Sequence, residues 1–450
     1  MRLSIPNIPA TALAKRVIRE LQARGHEAFL AGGCVRDLIL KREPKDYDVA
    51  TSALPDAVEA LFPRSIAQGK AFGVIQVLGD TPGVSVEVAT FRHDGPYSDG
   101  RHPDNVRFTT AEEDAARRDF TINAMFLDAS TGEVVDTVGG MADLERKVIR
   151  AVGDPAVRFT EDKLRLLRAV RFASSLNFEI EDATWEAIKR MAAQVTVCSA
   201  ERIRDELIKM LTARGASRGV RLMFECGLLQ AVLPEIAAMY GVQQPPQYHP
   251  EGDVFTHTLL ALDLLPSPCS ITLALGVLLH DVGKPPTYEE AADRIRFHGH
   301  DELGAKMSEK ITRRLKFPSE VTERVASLVR DHLKFMHARK MKLSTLKRFL
   351  RKPYFDEDLE LHRIDCLAGK GEIETWKFCR EKLAEFKREG EQQALRPKSH
   401  IDGRDLIALG MQPGPKFKEI LEALEDEVLE GRIRDREQAI AFVKAYKPGA

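Results

Sequence analysis

The segment Ala31-Gly32-Gly33-Cys34-Val35-Arg36-Asp37, followed nine residues after Asp37 by Asp46-Tyr47-Asp48, leaves this stretch few ways to fold. Glu27 to Ala31 is a β-type run and Val35 to Leu40 reads as a helix, so the two glycines turn the chain between them. Such a turn presents backbone N–H groups and a helix N-terminus to a phosphate. Asp46 to Ala50 reads as a second strand. Residues i and i+2 of a strand share a face, so both carboxylates are expected to point the same way. Neighbouring carboxylates repel unless a cation lies between them, and magnesium takes hard oxygen ligands while leaving positions for a triphosphate. Phe72 to Leu78 and Val84 to Phe91 read as two more strands, joined by Gly79-Asp80-Thr81-Pro82-Gly83. Glu87 on the second could bring a third acid alongside. Three acids around two metals suit in-line attack of a 3′-hydroxyl on an α-phosphate, with pyrophosphate leaving. Taken alone, an Asp-x-Asp more often marks an exposed strand end, and a Gly-Gly turn is equally unspecific. The combination is specific.

With 450 residues the chain is too long for one ordinary domain. The strand-and-helix texture of residues 1–150 gives way near Asp154 to helical patterns that run almost to the end, with joints near 245 and 370. No run of 18 apolar residues occurs, so no membrane span is expected, and the first residues lack the apolar core of a secretory signal. Six cysteines (Cys34, Cys198, Cys226, Cys269, Cys366, Cys379) are scattered without a CxxC pair, which fits a reducing cytosol and a cytoplasmic location. The formal charge, 67 − 68 = −1, gives no support to nucleic-acid binding. Arg313 to Lys352, however, holds thirteen Lys/Arg against three Asp/Glu. Such a local patch can hold a phosphate backbone, or can be a solvated helical face.

The motif resembles that of the class II tRNA nucleotidyltransferases and bacterial poly(A) polymerases, relatives of DNA polymerase β. Val86-Glu87-Val88-Ala89-Thr90-Phe91-Arg92 is similar to that family's strand with its third acid. Arg117-Arg118-Asp119-Phe120-Thr121-Ile122-Asn123-Ala124-Met125 is similar to its ribose- and triphosphate-binding segment. The resemblance implies an α/β, polymerase β-like head over 1–150 and an otherwise all-α remainder. That remainder would be a neck and body with an RNA-binding role over 151–245, an HD metal-binding domain over 246–370 and a helical tail over 371–450. It implies Asp46, Asp48 and Glu87 as the catalytic acids, the first two holding Mg2+. Gly32, Gly33, Arg36, Arg118, Asp119 and Asn123 would bind the nucleotide, and Arg168 and Arg171 are further candidates for phosphate. Asp99-Gly100-Arg101-His102-Pro103 corresponds to a loop that supports the switch from adding C to adding A. The partners implied are tRNA, CTP and ATP.

Glu161-Asp162-x-x-Arg165 resembles the family's nucleobase-selecting motif, and Glu201-Arg202-Ile203-Arg204-Asp205-Glu206-Leu207 a helix that buttresses it. Asp162 and Arg165 stand three apart and are expected on one face of one helix. An Asp accepts hydrogen bonds and an Arg only donates. Cytosine and adenine each show an amino donor beside a ring-nitrogen acceptor, whereas uracil and guanine show the reverse. The pair therefore selects C and A without a template, because the wrong base leaves polar groups unmatched. An ordinary Asp/Arg helix pair is the alternative.

A second constellation follows. His257 falls in an apolar helical run, with His280-Asp281-Val282-Gly283-Lys284 beyond it, then His300, His332 and Asp365. Four His and two Asp in this order match the ligand pattern of HD-type phosphohydrolases. Imidazole suits transition metals, and a carboxylate such as Asp281 can bridge two of them. His257, His280, Asp281 and Asp365 are the core of the pattern; His300 and His332 are ligands or substrate contacts. The expected activity is addition of C and A to tRNA, with HD-domain phosphohydrolysis beside it. The alternatives are an A-only enzyme, a poly(A) polymerase, or chiefly an HD hydrolase with an RNA-binding head.

Overall fold

The computed structural model describes residues 2–67, 69–95, 105–388 and 400–446, so Asp99-Gly100-Arg101-His102-Pro103 lies outside the described residues. The chain forms two compact units, Met1–Ala237 with Arg314–Phe317, and Ala238–Arg313 with Pro318–Ala450.

The first unit is built on a mixed sheet. Its strands are β1 (Ala28–Ala31), β2 (Asp48–Thr51), β3 (Ser65–Ile66), β4 (Val74–Leu78), β5 (Ser85–Thr90), β8 (Phe126–Leu127) and β9 (Val134–Val135), in the order β3-β4-β5-β2-β1-β8-β9. Strands β6 (Arg92–Asp94) and β7 (Val106–Phe108) form a separate hairpin. The pair β2/β5 is parallel and its neighbours are antiparallel. Alternation sets the faces: Val86, Val88 and Thr90 of β5 are buried while Glu87 is exposed. The helix Pro9–Gln22 lays Leu13, Ala14, Val17, Ile18 and Leu21 across β1, β2 and β5. Phe29, Phe91 and Phe126 form an aromatic cluster with centroids 5.8 to 6.3 Å apart. Burying a side chain of this size contributes about 1.5–3 kcal/mol.

The second strand begins at Asp48, two residues later than the sequence predicts. The ladder supplies the reason. Asp48 pairs with Ala31, and β1 stops there because Gly32 turns the chain at φ +76°, so Asp46 has no strand to pair with.

The rest of this unit is helical. Leu164–Leu176 buries ten of its thirteen residues and packs against Ala200–Leu211 and Ala216–Glu225.

In the second unit the helices Val254–Asp263, Ile271–Leu279, Ser319–Asp331 and Phe355–Ala368 pack together. Leu273 to Leu279 are all buried, as a helix apolar on every side must be at the centre of a bundle. A tail of three helices, Gly403–Ala408, Pro415–Leu429 and Arg436–Ala445, closes on Ile401, Leu406, Ile420, Leu424, Ile433, Ala439 and Val443. Among the described residues no helix is long and apolar enough to cross a membrane.

The basic stretch is largely compensated. Arg314, Arg324, Arg330, Lys334, Arg348, Arg351 and Lys352 all stand in ion pairs. Lys347 and Arg348 hold the tail: the ammonium donates to the Leu429 carbonyl at 2.9 Å, and the guanidinium binds Glu425 and Asp426. Arg339, Lys340 and Lys342 are exposed, as is Met336.

Candidate functional site

Asp48 opens β2, and Glu87 lies on the parallel neighbour. Val49 stands opposite Val88, so Asp48 and Glu87 each sit one residue before that pair. Asp46, just ahead of the strand, is exposed, as is Glu87. The Asp48 carboxyl is pushed up to about 6, first by burial, then by the charge of Glu87, then by that of Asp46, with Arg118 opposing. Arg118 offsets these acids only in part, so the Asp48 carboxyl stays raised. Three carboxylates with no nitrogen donor among them fit a hard divalent cation. Cys34 lies close to Asp48, but burial and the Asp48 charge push its thiol up to about 12, so it stays neutral and inert.

Gly32 is required twice over. Its φ of +76° is left-handed, and a Cβ there would stand 3.2 Å from Arg118 Nη1. Gly33 then opens the helix Gly33–Ile39, which carries Arg36. Arg36 donates to both oxygens of Asp37 at 2.8 and 2.9 Å, and to Asn123 Oδ1 at 2.7 Å. Asn123 Nδ2 donates to Asp119 Oδ1 at 3.3 Å, and Asp119 Oδ2 receives Arg168 at 2.8 and 2.5 Å. Burial alone would raise Asp119, but Arg168 and then Arg165 hold it below the usual carboxylate range. The guanidiniums of Arg36, Arg168 and Arg171 meet at one ring, 5.2, 5.4 and 4.0 Å from the Phe172 centroid. Arg36, Asn123, Asp119 and Arg168, predicted from separate segments, thus form one hydrogen-bonded chain.

Asp162 and Arg165 do not share a helical face, contrary to expectation. The helix Pro155–Glu161 ends at Asp162, which is extended (φ −143°, ψ 107°), and a new helix runs Leu164–Leu176. The Asp162 side chain accepts the Leu164 N–H at 3.0 Å, a local bond that competes with continued helix. Its carboxylate is also gripped by Arg202 at 3.1 and 2.7 Å. Arg165 donates to Glu161 at 2.6 Å and to the carbonyls of Arg158 and Arg117 at 3.0 and 3.2 Å. A carboxylate accepts about four bonds and a guanidinium donates five. Each side chain therefore keeps unspent capacity, an acceptor on Asp162 and donors on Arg165.

In the second unit all six predicted residues come together. His280-Asp281 follows Ile271–Leu279, His300 opens a helix, His332 follows Ser319–Asp331, and Asp365 lies on Phe355–Ala368. Ligand atoms of His257, His280 and Asp365 lie within 4.8 Å of one another, and so do those of Asp281, His300 and His332. Gly283 lets the chain in, since a Cβ there would run into the His300 carbonyl. The Nδ1 atoms of His280, His300 and His332 each lie 2.5 to 2.8 Å from the carbonyl of the residue three before. Those bonds turn each Nε2 inward. The His300 Nε2 is buried without a hydrogen-bond partner. Burial, and then the His280 charge, press His332 down to about 4, which leaves it neutral as a metal ligand must be. His257 is pushed up to about 9: burial opposes, but its bonds to Asp365 and Glu251 prevail. His257 Nε2 and Asp365 Oδ1 lie 3.1 Å apart. The donor set, imidazoles and carboxylates facing one buried point, fits a divalent transition metal.

Residues 28–150 match the poly A polymerase head domain, 177–240 the "Probable RNA and SrmB- binding site of polymerase A", and 254–368 the HD domain. The CCA-adding enzyme of Bacillus pumilus (strain SAFR-032) is 44% identical over 215 residues, 48% of this chain and 53% of that protein. That of Limosilactobacillus reuteri (strain DSM 20016) is 40% identical over 268 residues, 58% of this chain and 66% of that protein. The solved CCA-adding enzyme of Bacillus stearothermophilus in complex with CTP is 26% identical, covers 98% of each chain and has a TM-score of 0.74. The chain thus carries a poly A polymerase head domain and an HD domain, and over its length it is similar to a solved CCA-adding enzyme. The mixed sheet lies within the head-domain match, and the helices around the histidine cluster lie within the HD match. In sequence, the match spans about half to two thirds of the length of these two relatives.

The head depends on residues that its motifs did not single out. Asp114 is buried and accepts from Arg117 at 2.9 and 2.6 Å and from Arg118 at 3.1 and 2.9 Å, fixing both arginines. The pairing was readable as i,i+3 and i,i+4 acid–base spacing. Arg202 stands out in the sequence only as part of a distal helix. In the HD domain, Lys284 pairs with Asp281 at 2.7 Å and donates to Gln244 at 2.6 Å. His249 and Glu251 lie in a loop with no periodicity to mark them.

Proposed function

We propose that this chain adds C and A to tRNA 3′ ends from CTP and ATP without a nucleic-acid template. The observation that carries this reading is the parallel register of Asp48 and Glu87 beside the Arg36–Asn123–Asp119–Arg168 chain. Asp46, Asp48 and Glu87 are the catalytic acids, with Asp46 and Asp48 holding Mg2+. The bound ion supplies the charge that offsets the triphosphate and makes pyrophosphate a better leaving group. Gly32 and Gly33 offer backbone N–H groups to phosphate. Arg118, Asp119 and Asn123 orient the ribose and triphosphate, with Arg168 and Arg171 adding positive charge. Asp162 and Arg165 use their remaining acceptor and donors on the base. We place the enzyme in the cytoplasm, in keeping with six free cysteines.

Three tRNA transcripts, ending at the discriminator base, at C and at CC, test the proposal with CTP, ATP or both. Completion of all three to CCA, followed by a stop, is the expected product pattern. A single A added only to the CC transcript would make it an A-adding enzyme, and long A tails a poly(A) polymerase.

The HD cluster supports a second activity, metal-dependent hydrolysis of phosphoesters. His280→Ala is expected to abolish phosphodiesterase activity while nucleotide addition continues; full hydrolysis in that variant would remove this activity from the HD site.

Because Lys347 and Arg348 hold the tail, exposed Lys340 and Lys342 are the better candidates for tRNA phosphate. Reversing both is expected to lower the slope of log affinity against log salt by about 0.7–0.9 for each phosphate no longer neutralised. Arg348→Glu should leave that slope alone and lower the unfolding temperature instead.

A further inference from the structure

Four histidines face the HD cluster, and three of them are oriented in the same way. His280, His300 and His332 each direct Nδ1 at the carbonyl of Val277, Phe297 and Val329, a neutral acceptor three residues earlier. His257 differs. Its Nδ1 lies 2.5 Å from Glu251 Oε1, a carboxylate six residues earlier and outside the helix Val254–Asp263. The Glu251 side chain is 6% exposed and His257 is fully buried. Glu251 is itself held from the other side by His249 Nδ1 at 2.9 Å. Its second oxygen, Oε2, is buried without a partner.

His249, Glu251 and His257 have ligand atoms within 4.8 Å of one another, so this group could be taken as a further cation site. The hydrogen bonds argue otherwise. Both rings direct Nδ1 at the same oxygen of Glu251, so the nitrogens a cation would need are spent on the carboxylate. The other nitrogen of His257, Nε2, is the one that reaches Asp365 at 3.1 Å and His280 Nε2 at 3.3 Å. A ring that donates from Nδ1 to a carboxylate has its tautomer and rotation fixed, and its Nε2 is made more basic.

We propose that Glu251 is a positioning residue of the HD metal centre, latched by His249, whose carboxylate keeps His257 protonated on Nδ1 and aims Nε2 at the metal. This rests on reading His257, His280, Asp281 and Asp365 as metal ligands. The charge of the acceptor sets His257 apart: it is the histidine whose donor strength the protein tunes by a carboxylate, the other three being held by peptide carbonyls.

The test is isothermal titration of the full-length metal-free protein with Ni2+, which favours imidazole over the all-carboxylate head. The wild type is expected to show a binding event that His280→Ala removes. Glu251→Ala should weaken that event by about 10–100-fold, the usual loss when a partner behind a ligand is removed. Glu251→Gln, which keeps an acceptor and loses the charge, should fall between the two. If no wild-type event depends on His280, the metal reading of the cluster fails. If that event exists and Glu251→Ala binds Ni2+ as tightly as the wild type, the positioning role alone is overturned. A second measurement needs no variant. In the Zn2+-loaded wild type, nitrogen-15 NMR of the imidazoles should find a slowly exchanging proton on His257 Nδ1. A metal-bound or unprotonated Nδ1 would overturn the proposal even if Glu251→Ala does not fold.

Discussion

Asp48→Asn is expected to lower nucleotide addition by about 10³-fold or more, and at the same time to stabilise the metal-free protein. The first effect follows from the role of the ion: charge stabilisation at the transferring phosphate is worth several kcal/mol, and each 1.36 kcal/mol is tenfold in rate. The second follows from the electrostatics of the empty acid group. The Asp48 carboxyl rises from 3.8 to about 6 on folding, because of burial, Glu87 and Asp46. A group whose folded value is raised favours the folded state at low pH and loses that contribution as pH rises through the folded value. Without metal, therefore, stability falls between about pH 4 and pH 6 and stays low at pH 7. A shift of this size corresponds to about 3 kcal/mol at most, and to about 1–2 kcal/mol after screening of a half-buried group. Asparagine removes that cost, for a rise in unfolding temperature of about 2–8 °C in a unit of this size. Mg2+ should stabilise the wild type and not the variant, and its affinity for the wild type should fall as pH drops below about 6. Primer extension and thermal unfolding with and without Mg2+ check both arms. A variant that keeps its activity, or that is less stable without metal at pH 7.5, would show that Asp48 does not hold the ion.

Much of this was legible because the informative residues sit in regular elements. Alternation exposed Glu87 between buried Val86 and Val88, and the parallel register of β5 against β2 then brought it beside Asp48. His257, His280, Asp281, His300, His332 and Asp365 were readable for a different reason. Helices and helix ends fix where such side chains point, and their order along the chain is that of the helices around the cluster. What stayed hidden depends on local competition or on distant partners. The start of β2 was misjudged because strand length is set by its neighbour, which stops at Gly32. The Asp162–Arg165 helix was misjudged because an aspartate can bond its own backbone two residues on, and here it does. Lys347 and Arg348 fall in the basic stretch, and the groups that hold them, the Leu429 carbonyl and the carboxylates of Glu425 and Asp426, lie more than seventy residues later. Glu251 carried no signal, since a loop residue has no period, and only the fold places it behind His257.

The broken helix at Asp162 leads to the other large expected effect. Asp162→Ala should erode base choice rather than simply slow the enzyme. A base edge that offers an amino donor needs the acceptor of Asp162, and one that offers a ring nitrogen needs a donor of Arg165. Arg202 leaves part of the Asp162 carboxylate free, and Glu161 with two carbonyls leaves part of the Arg165 guanidinium free. Removing Asp162 deletes the acceptor that cytosine and adenine require, and it also removes the oxygen that would repel the carbonyl of uracil. An unmatched buried polar group costs about 1–3 kcal/mol, so the ratio of kcat/KM for CTP over UTP should fall by about 10–100-fold. Arg202→Ala is the informative partner. It leaves the carboxylate in place but releases it, so the ratio should fall only a few-fold, with the loss mainly in kcat as the side chain is no longer held in position. Single-nucleotide extension of a transcript ending at the discriminator base, with CTP and UTP in turn, gives both ratios. If Asp162→Ala slows CTP and UTP equally and leaves their ratio unchanged, Asp162 serves only to start the helix Leu164–Leu176, and base choice lies elsewhere.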